Sequence, residues 1–164
     1  MGQRYEDRYC VPSVKHSPSI MIWGSISASG RGGISFIPPK TTVNAERYLH
    51  ILQNKLPTWM NIRNCSIFQH EGAPAHNAKS AKTWLNQWLS DSNCRLLDKW
   101  PGSSPDLNVI ENCWRMMKEK VASLKPTSIV DLKKKILHVW TQEVTATYCT
   151  SLVESMSNRI RAVL

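Results

Sequence analysis

SIFQHEGAPAH (Ser66–His76) and WPGSSPDLNVIENCW (Trp100–Trp114) open and close the stretch on which the fold turns. The first begins with a short apolar run, Cys65 to Gln69, that predicts a strand leading into Glu71. A helix is expected from about Ala75 to Leu89, with Ala78, Ala81, Trp84, Leu85, Trp88 and Leu89 on its inner face. Arg95-Leu96-Leu97 reads as the next strand, broken off by WPGSSP, and a further helix is expected from about Val109. Glu71 and Glu111 thus each fall where a strand or loop gives way to a helix. That placement aims two carboxylates at one point, as metal-assisted phosphoryl chemistry requires. Plainer roles exist for both. A glutamate at a strand end is favoured by the field of a following helix N-terminus. Asn108 with Glu111 three residues later has the spacing of a capping box.

Working outward, Ser19–Ile26 (SIMIWGSI) predicts a buried strand, SASGRGG a Gly-rich turn, and Ile34–Ile37 the returning strand before Pro38-Pro39. Thr42 to Leu56 carries Val43, Tyr48, Ile51, Leu52 and Leu56 at a spacing of three to four, an amphipathic helix. Beyond Val109 the chain reads as helical. One stripe is Ile110, Trp114, Met117, Val121 and Leu124, ended by Pro126. The next is Leu132, Ile136, Val139 and Trp140, capped by Thr127 or Ser128, and the last is Tyr148, Leu152, Met156, Ile160 and Val163. A hairpin, a strand–helix–strand unit and a helical tail imply an α/β layer fold. Hairpin and unit are expected to share one sheet.

The 164 residues, 41% hydrophobic and 20% charged, suit one globular domain with its own core, not a disordered chain. No apolar run approaches the roughly 18 residues that span a bilayer, and the polar start MGQRYEDRY does not read as a signal peptide, so neither membrane nor secretion is expected. Cys10, Cys65, Cys94, Cys113 and Cys149 are scattered without a C-x-x-C pair, which argues against a disulfide framework or a zinc site. The balance of 21 Lys+Arg over 12 Asp+Glu gives +9. Such a surface attracts polyanions, of which nucleic acid is the commonest. Trp84, Trp88, Trp114 and Trp140 sit on apolar stripes and are expected in the core rather than against bases. Asp106 reads as a turn or cap residue, and His76 as a surface residue unless a family role applies.

FQHEGAPAH resembles the FQQDNAPxH block of Tc/mariner-superfamily DDE transposases, and WPGSSPDLNVIEN resembles their WPxxSPDLNPIEN block. MIWGSIS, the segment around Tyr48 and LVESMSNRI match in the same order, so the resemblance covers nearly the whole chain. It implies a ribonuclease H-like mixed sheet flanked by helices, here lacking the central first strand, since that strand and its Asp are expected upstream of Met1. One partial catalytic domain over 1–164 follows: β-rich over 1–40, α/β over 41–105, helical over 106–164. The implied activity is Mg²⁺-dependent DNA cleavage and strand transfer, expected to be impaired in this chain.

By the same resemblance Glu71 and Glu111 are the catalytic and metal-binding acids. Glu71 stands where the family has its second Asp, Gly72 where it has Asn, and Val109 where it has Pro. The 40 residues from Glu71 to Glu111 exceed the usual separation, the surplus falling around NQWLSDSN. Lys79, Lys82, Lys118 and Lys120, on helices flanking the acids, are the candidate phosphate contacts. DNA is the expected partner, the nucleus or cytoplasm the expected location, and the full-length family allows a homo-oligomer. The competing expectation is a non-enzymatic DNA-binding or protein-interaction domain kept for its basic surface.

Overall fold

The structure, a computed structural model, describes residues 19–63, 67–92, 94–97 and 104–163, with side chains omitted over 58–63. Cys10, Cys65 and the 98–103 break lie outside the described residues. Ile22–Ser27 (β1) and Gly30–Phe36 (β2) pair antiparallel, with Ile22 opposite Phe36 and Ser27 opposite Gly30. The expected seven-residue turn shrinks to Ala28-Ser29, because Gly30 takes φ 122°, which a side chain would resist, and the rest of SASGRGG joins the strands. The register slips between Gly24 and Ile26, as in a β-bulge.

Ala45–Arg63 (α1) runs past the expected end at Leu56 and takes Pro57 into its interior. Ile67–Phe68 (β3), Lys79–Asp91 (α2) and Arg95–Leu96 (β4) follow. A 3-10 turn at Pro105–Leu107 precedes Val109–Ser123 (α3), Ile129–Gln142 (α4) and Ala146–Val163 (α5). None of the described helices is long and apolar enough to cross a membrane.

Among the described residues, the single sheet expected from the sequence is two. Among the described strands β1 pairs with β2 alone, and β3 pairs parallel to β4 through Ile67–Arg95 and Phe68–Leu96. Strands share a ladder only when their backbones lie about 4.8 Å apart. A cavity of about 750 Å³, lined by β1 from Ile22 to Ser27 and by Ile67 to Glu71 beyond it, stands between these two edges.

Two apolar cores result. Tyr48, Leu52 and Leu56 of α1 pack with Phe68 and with Ala81, Leu85 and Leu89 of α2. Cys113, Met117 and Val121 of α3 pack with Leu132, Ile136, Val139 and Trp140 of α4 and with Cys149 and Leu152 of α5. β1 divides them: Trp23 joins the first core, Ile22 and Ile26 the second, as strand alternation dictates. Two stripes are shorter than expected, since Leu124, Ile160 and Val163 are exposed at helix ends. Trp140 is buried and Trp114 stacks on it at 5.7 Å, while Trp84 stacks on Trp88 at the same distance, in keeping with packing roles.

Candidate nucleic-acid and metal site

β3 is too short to carry Glu71 itself; the acid follows in an irregular turn that runs to Asn77. α2 starts at Lys79 rather than Ala75, with Ala78 at its N-cap and no side-chain cap bond. Glu71 thus precedes the N-cap by seven residues and does not lie in the first turn of α2. Three rings hold the Glu71 turn. His76, only 9% exposed, stacks on buried Tyr48 at 3.9 Å and lies against His70 at 5.5 Å. Its Nδ1 bonds the Glu71 carbonyl at 3.1 Å and lies 3.9 Å from the carboxylate, whose side chain is 57% exposed. Tyr48 Oη and His70 Nδ1 are 3.2 Å apart. Burial, and then the Glu71 charge, pushes the Tyr48 hydroxyl above its ordinary range. Burial holds His76 below its ordinary value, partly offset by its contacts with Glu71. The surface role expected of His76 is thus corrected: it is a buried strut beneath Glu71.

Glu111 occupies the first turn of α3. The capping box expected of Asn108 and Glu111 does not form. Asn108 Oδ1 accepts from the Ile110 N–H at 3.4 Å, and the Glu111 carboxylate has no hydrogen bond or ion pair among the described residues. The Asn108 N–H, which a capping-box glutamate would accept, donates instead to the Pro105 carbonyl at 3.1 Å, and this leaves the acid available to the groove. Gln69 Nε2 donates to the Leu107 carbonyl at 3.2 Å and ties the end of β3 to the 3-10 turn that starts α3. Asp106 belongs to that turn, and its carbonyl accepts from Arg159 Nη1 at 2.8 Å.

The outcome is that Glu71 and Glu111, 40 residues apart, line the same two cavities, the one beside β1 and a second of about 1010 Å³ between α3 and α4. Two carboxylates suit one hard divalent ion that keeps most of its waters. No cluster of three His, Cys, Asp or Glu occurs among the described residues. Of the four lysines, Lys118 lines the second cavity together with both acids. Lys120 does not; it pairs with Glu143 at 3.4 Å, because it lies half a turn round α3 from Lys118. Lys79 and Lys82 line neither cavity, and Lys82 is half-buried rather than fully outward. Gln69, Lys125 and Arg159 were missed by the sequence reading. Gln69 lies inside the FQHEGAPAH block and Lys125 falls seven residues after Lys118, a signal of a kind in each case, but the contacts of Arg159 with Asp106 and Asn112 are encoded by no spacing.

The fold is ribonuclease H-like, the class to which its similarity to solved transposase catalytic domains assigns it. The Mos1 transposase catalytic domain solved with raltegravir and Mn has this fold, at TM-score 0.67 and 23% identity over 85% of this chain and 71% of that one. The Mos1 strand transfer complex gives TM-score 0.72 at 22% identity, over 96% of this chain and 47% of that one. The chain belongs to the DDE superfamily endonuclease family, whose model matches residues 2–133. Among relatives, the Tc1 transposase of Caenorhabditis elegans is 26% identical over 167 aligned positions, covering 100% of this chain and 58% of the relative. The chain thus spans 58% of that relative's length.

Proposed function

We propose that this domain binds DNA across the groove that carries Glu71 and Glu111, the two carboxylates facing a phosphodiester and a divalent ion such as Mg²⁺. The observation that carries this reading is that both acids open into the same two cavities. The net charge of +9 and the family membership support it. Glu71 and Glu111 would supply the hard oxygen ligands, and an ion held there would stabilise charge on phosphodiester oxygens. Gln69 fixes the spacing of the two acid-bearing segments, the Tyr48–His76 stack holds the Glu71 turn, and Lys118 offers a phosphate contact. With two carboxylates at the groove among the described residues, the domain is expected to bind without cutting. Glutamate in place of aspartate at position 71 displaces the oxygens by one methylene, more than the roughly 0.5 Å that catalytic geometry tolerates.

Fluorescence anisotropy with unrelated duplexes, titrated from about 50 to 200 mM salt, tests the binding. Affinity should be sequence-tolerant and fall linearly on a log–log plot, and a nicking assay with Mg²⁺ or Mn²⁺ should stay blank. Salt-insensitive binding, or strong preference for one sequence, would favour a protein-interaction role for the basic surface. Divalent-dependent nicking that is lost in Glu111→Gln would overturn the non-cutting half of the proposal.

A further inference from the structure

Glu111, Lys118 and Lys125 follow one another at intervals of seven residues, two helical turns each, along one side of α3 and its C-terminal exit. All three line the cavity between α3 and α4, with Trp114, Met117 and Val121 as its floor. One end of this groove carries the two acids. The other carries two exposed ammonium groups, neither of which forms an ion pair among the described residues.

Lys125 is held there against its backbone preference. It follows the C-cap Leu124 and takes φ 51°, in the left-handed region where glycine normally ends a helix. It also precedes Pro126, which further restricts its backbone. The surrounding turn is fixed. The Lys125 N–H donates to the Ala122 carbonyl at 3.0 Å, and Lys135 Nζ donates to the Lys125 carbonyl at 3.3 Å. Asp131, the nearest carboxylate in this turn, is already engaged by Lys135 at 2.7 Å and by the Thr127 N–H at 2.9 Å. The turn therefore presents the Lys125 ammonium without an ion-pair partner among the described residues.

We propose that Lys118 and Lys125 form a phosphate-binding track, which lays a DNA strand along α3 and leads it to Glu71 and Glu111. The inference rests on the DNA-binding reading above and adds to it a direction and a residue. A rise of about 10.5 Å per seven residues, against about 3.4 Å of duplex axis per base pair, sets the two lysines roughly three and six base pairs from Glu111.

Lys125→Gly tests this cleanly, because glycine suits φ 51° and the substitution removes only the ammonium-bearing side chain. Lys40→Gly is the matched control: Lys40 is also left-handed, at φ 58°, carries the same charge and lines neither cavity. Duplex affinity of the full chain is measured by anisotropy from about 50 to 200 mM salt, with melting temperature as the check on folding. Lys125→Gly should melt no lower than the unsubstituted protein, reduce the log–log salt slope by about 0.9, and weaken binding roughly eightfold near 0.1 M salt, since one contact scales as about the 0.9 power of salt concentration. Lys118→Gln should do the same, Lys125→Arg should retain the slope, and Lys40→Gly should leave it unchanged. Equal losses for Lys40→Gly and Lys125→Gly would reduce the effect to net charge and overturn the track while leaving DNA binding intact. An unchanged slope in Lys125→Gly would also overturn it. Absence of salt-dependent binding by the unsubstituted chain would overturn both the track and the reading beneath it.

Discussion

Replacing Arg159 by alanine should loosen the start of α3, the segment that carries Glu111. Arg159, on the last turns of α5, reaches across to both sides of that acid. Its Nη1 donates to the Asp106 carbonyl at 2.8 Å and to Asn112 Oδ1 at 2.7 Å, and its Nε donates to Ser155 Oγ within α5 at 2.9 Å. Tyr148 adds a weaker bond from its hydroxyl to the Asn112 carbonyl at 3.4 Å. A hydrogen bond to a charged group contributes about 1.5–3 kcal/mol when sheltered. Arg159 is half-buried and Asp106 exposed, so water replaces part of what is lost. The two cross-element bonds together should then be worth about 1–2 kcal/mol. For a domain of this size that corresponds to a fall in melting temperature of roughly 2–8 °C. Urea unfolding of Arg159→Ala, Asn112→Ala and the double variant gives the coupling, expected at about 0.5–1 kcal/mol. Hydrogen exchange should rise over residues 104–112 and stay unchanged in α4. Additivity within about 0.3 kcal/mol, or a uniform rise in exchange, would refute the clamp.

Gly24→Ala should destabilise by about 1–3 kcal/mol, because a Cβ there would sit 2.7 Å from Trp114 Cη2 and 3.2 Å from Trp140 Cη2. Thermal denaturation measures it, and a neutral result would show that the stacked indoles yield. His76 titrates lower folded than unfolded, so the unfolded chain binds the extra proton first and stability falls as pH drops below about 6.5. Melting temperature should therefore decline between about pH 7 and pH 5 more in the unsubstituted protein than in His76→Phe; equal declines would contradict the buried neutral ring. Burial, reinforced by neighbouring Cys149, pushes the Cys113 thiol up to about 12. Alkylation of Cys113 by iodoacetamide at neutral pH should consequently wait on unfolding, and rapid labelling of the native protein would show that the α3–α5 core is open.

Much of the architecture follows from local pattern. The amphipathic spacing of Leu132, Ile136, Val139 and Trp140, or of Ala81, Leu85 and Leu89, specifies a buried helical face wherever the chain goes, and those residues are buried. The two motif blocks likewise placed Glu71 and Glu111 beside strand and helix ends. Boundaries were less legible. Pro57 reads as a stop but lies inside α1, and Gly30 reads as turn but opens β2.

The geometry of the candidate site depends on contacts between segments distant in sequence. Whether Glu111 caps its helix or faces a groove depends on what the Asn108 N–H donates to, and the Pro105 carbonyl takes it. Whether His76 is surface or strut depends on Tyr48, 28 residues earlier, arriving beneath it. Lys118 and Lys120 are two residues apart and equally basic, yet Lys118 lines the cavity with both acids while Lys120 is drawn to Glu143. A one-dimensional pattern determines which face of an element seeks the core, because burial of apolar surface needs only the right period. It leaves open which polar groups meet, because hydrogen bonds and ion pairs are short-ranged and directional, and only packed elements bring their partners within reach.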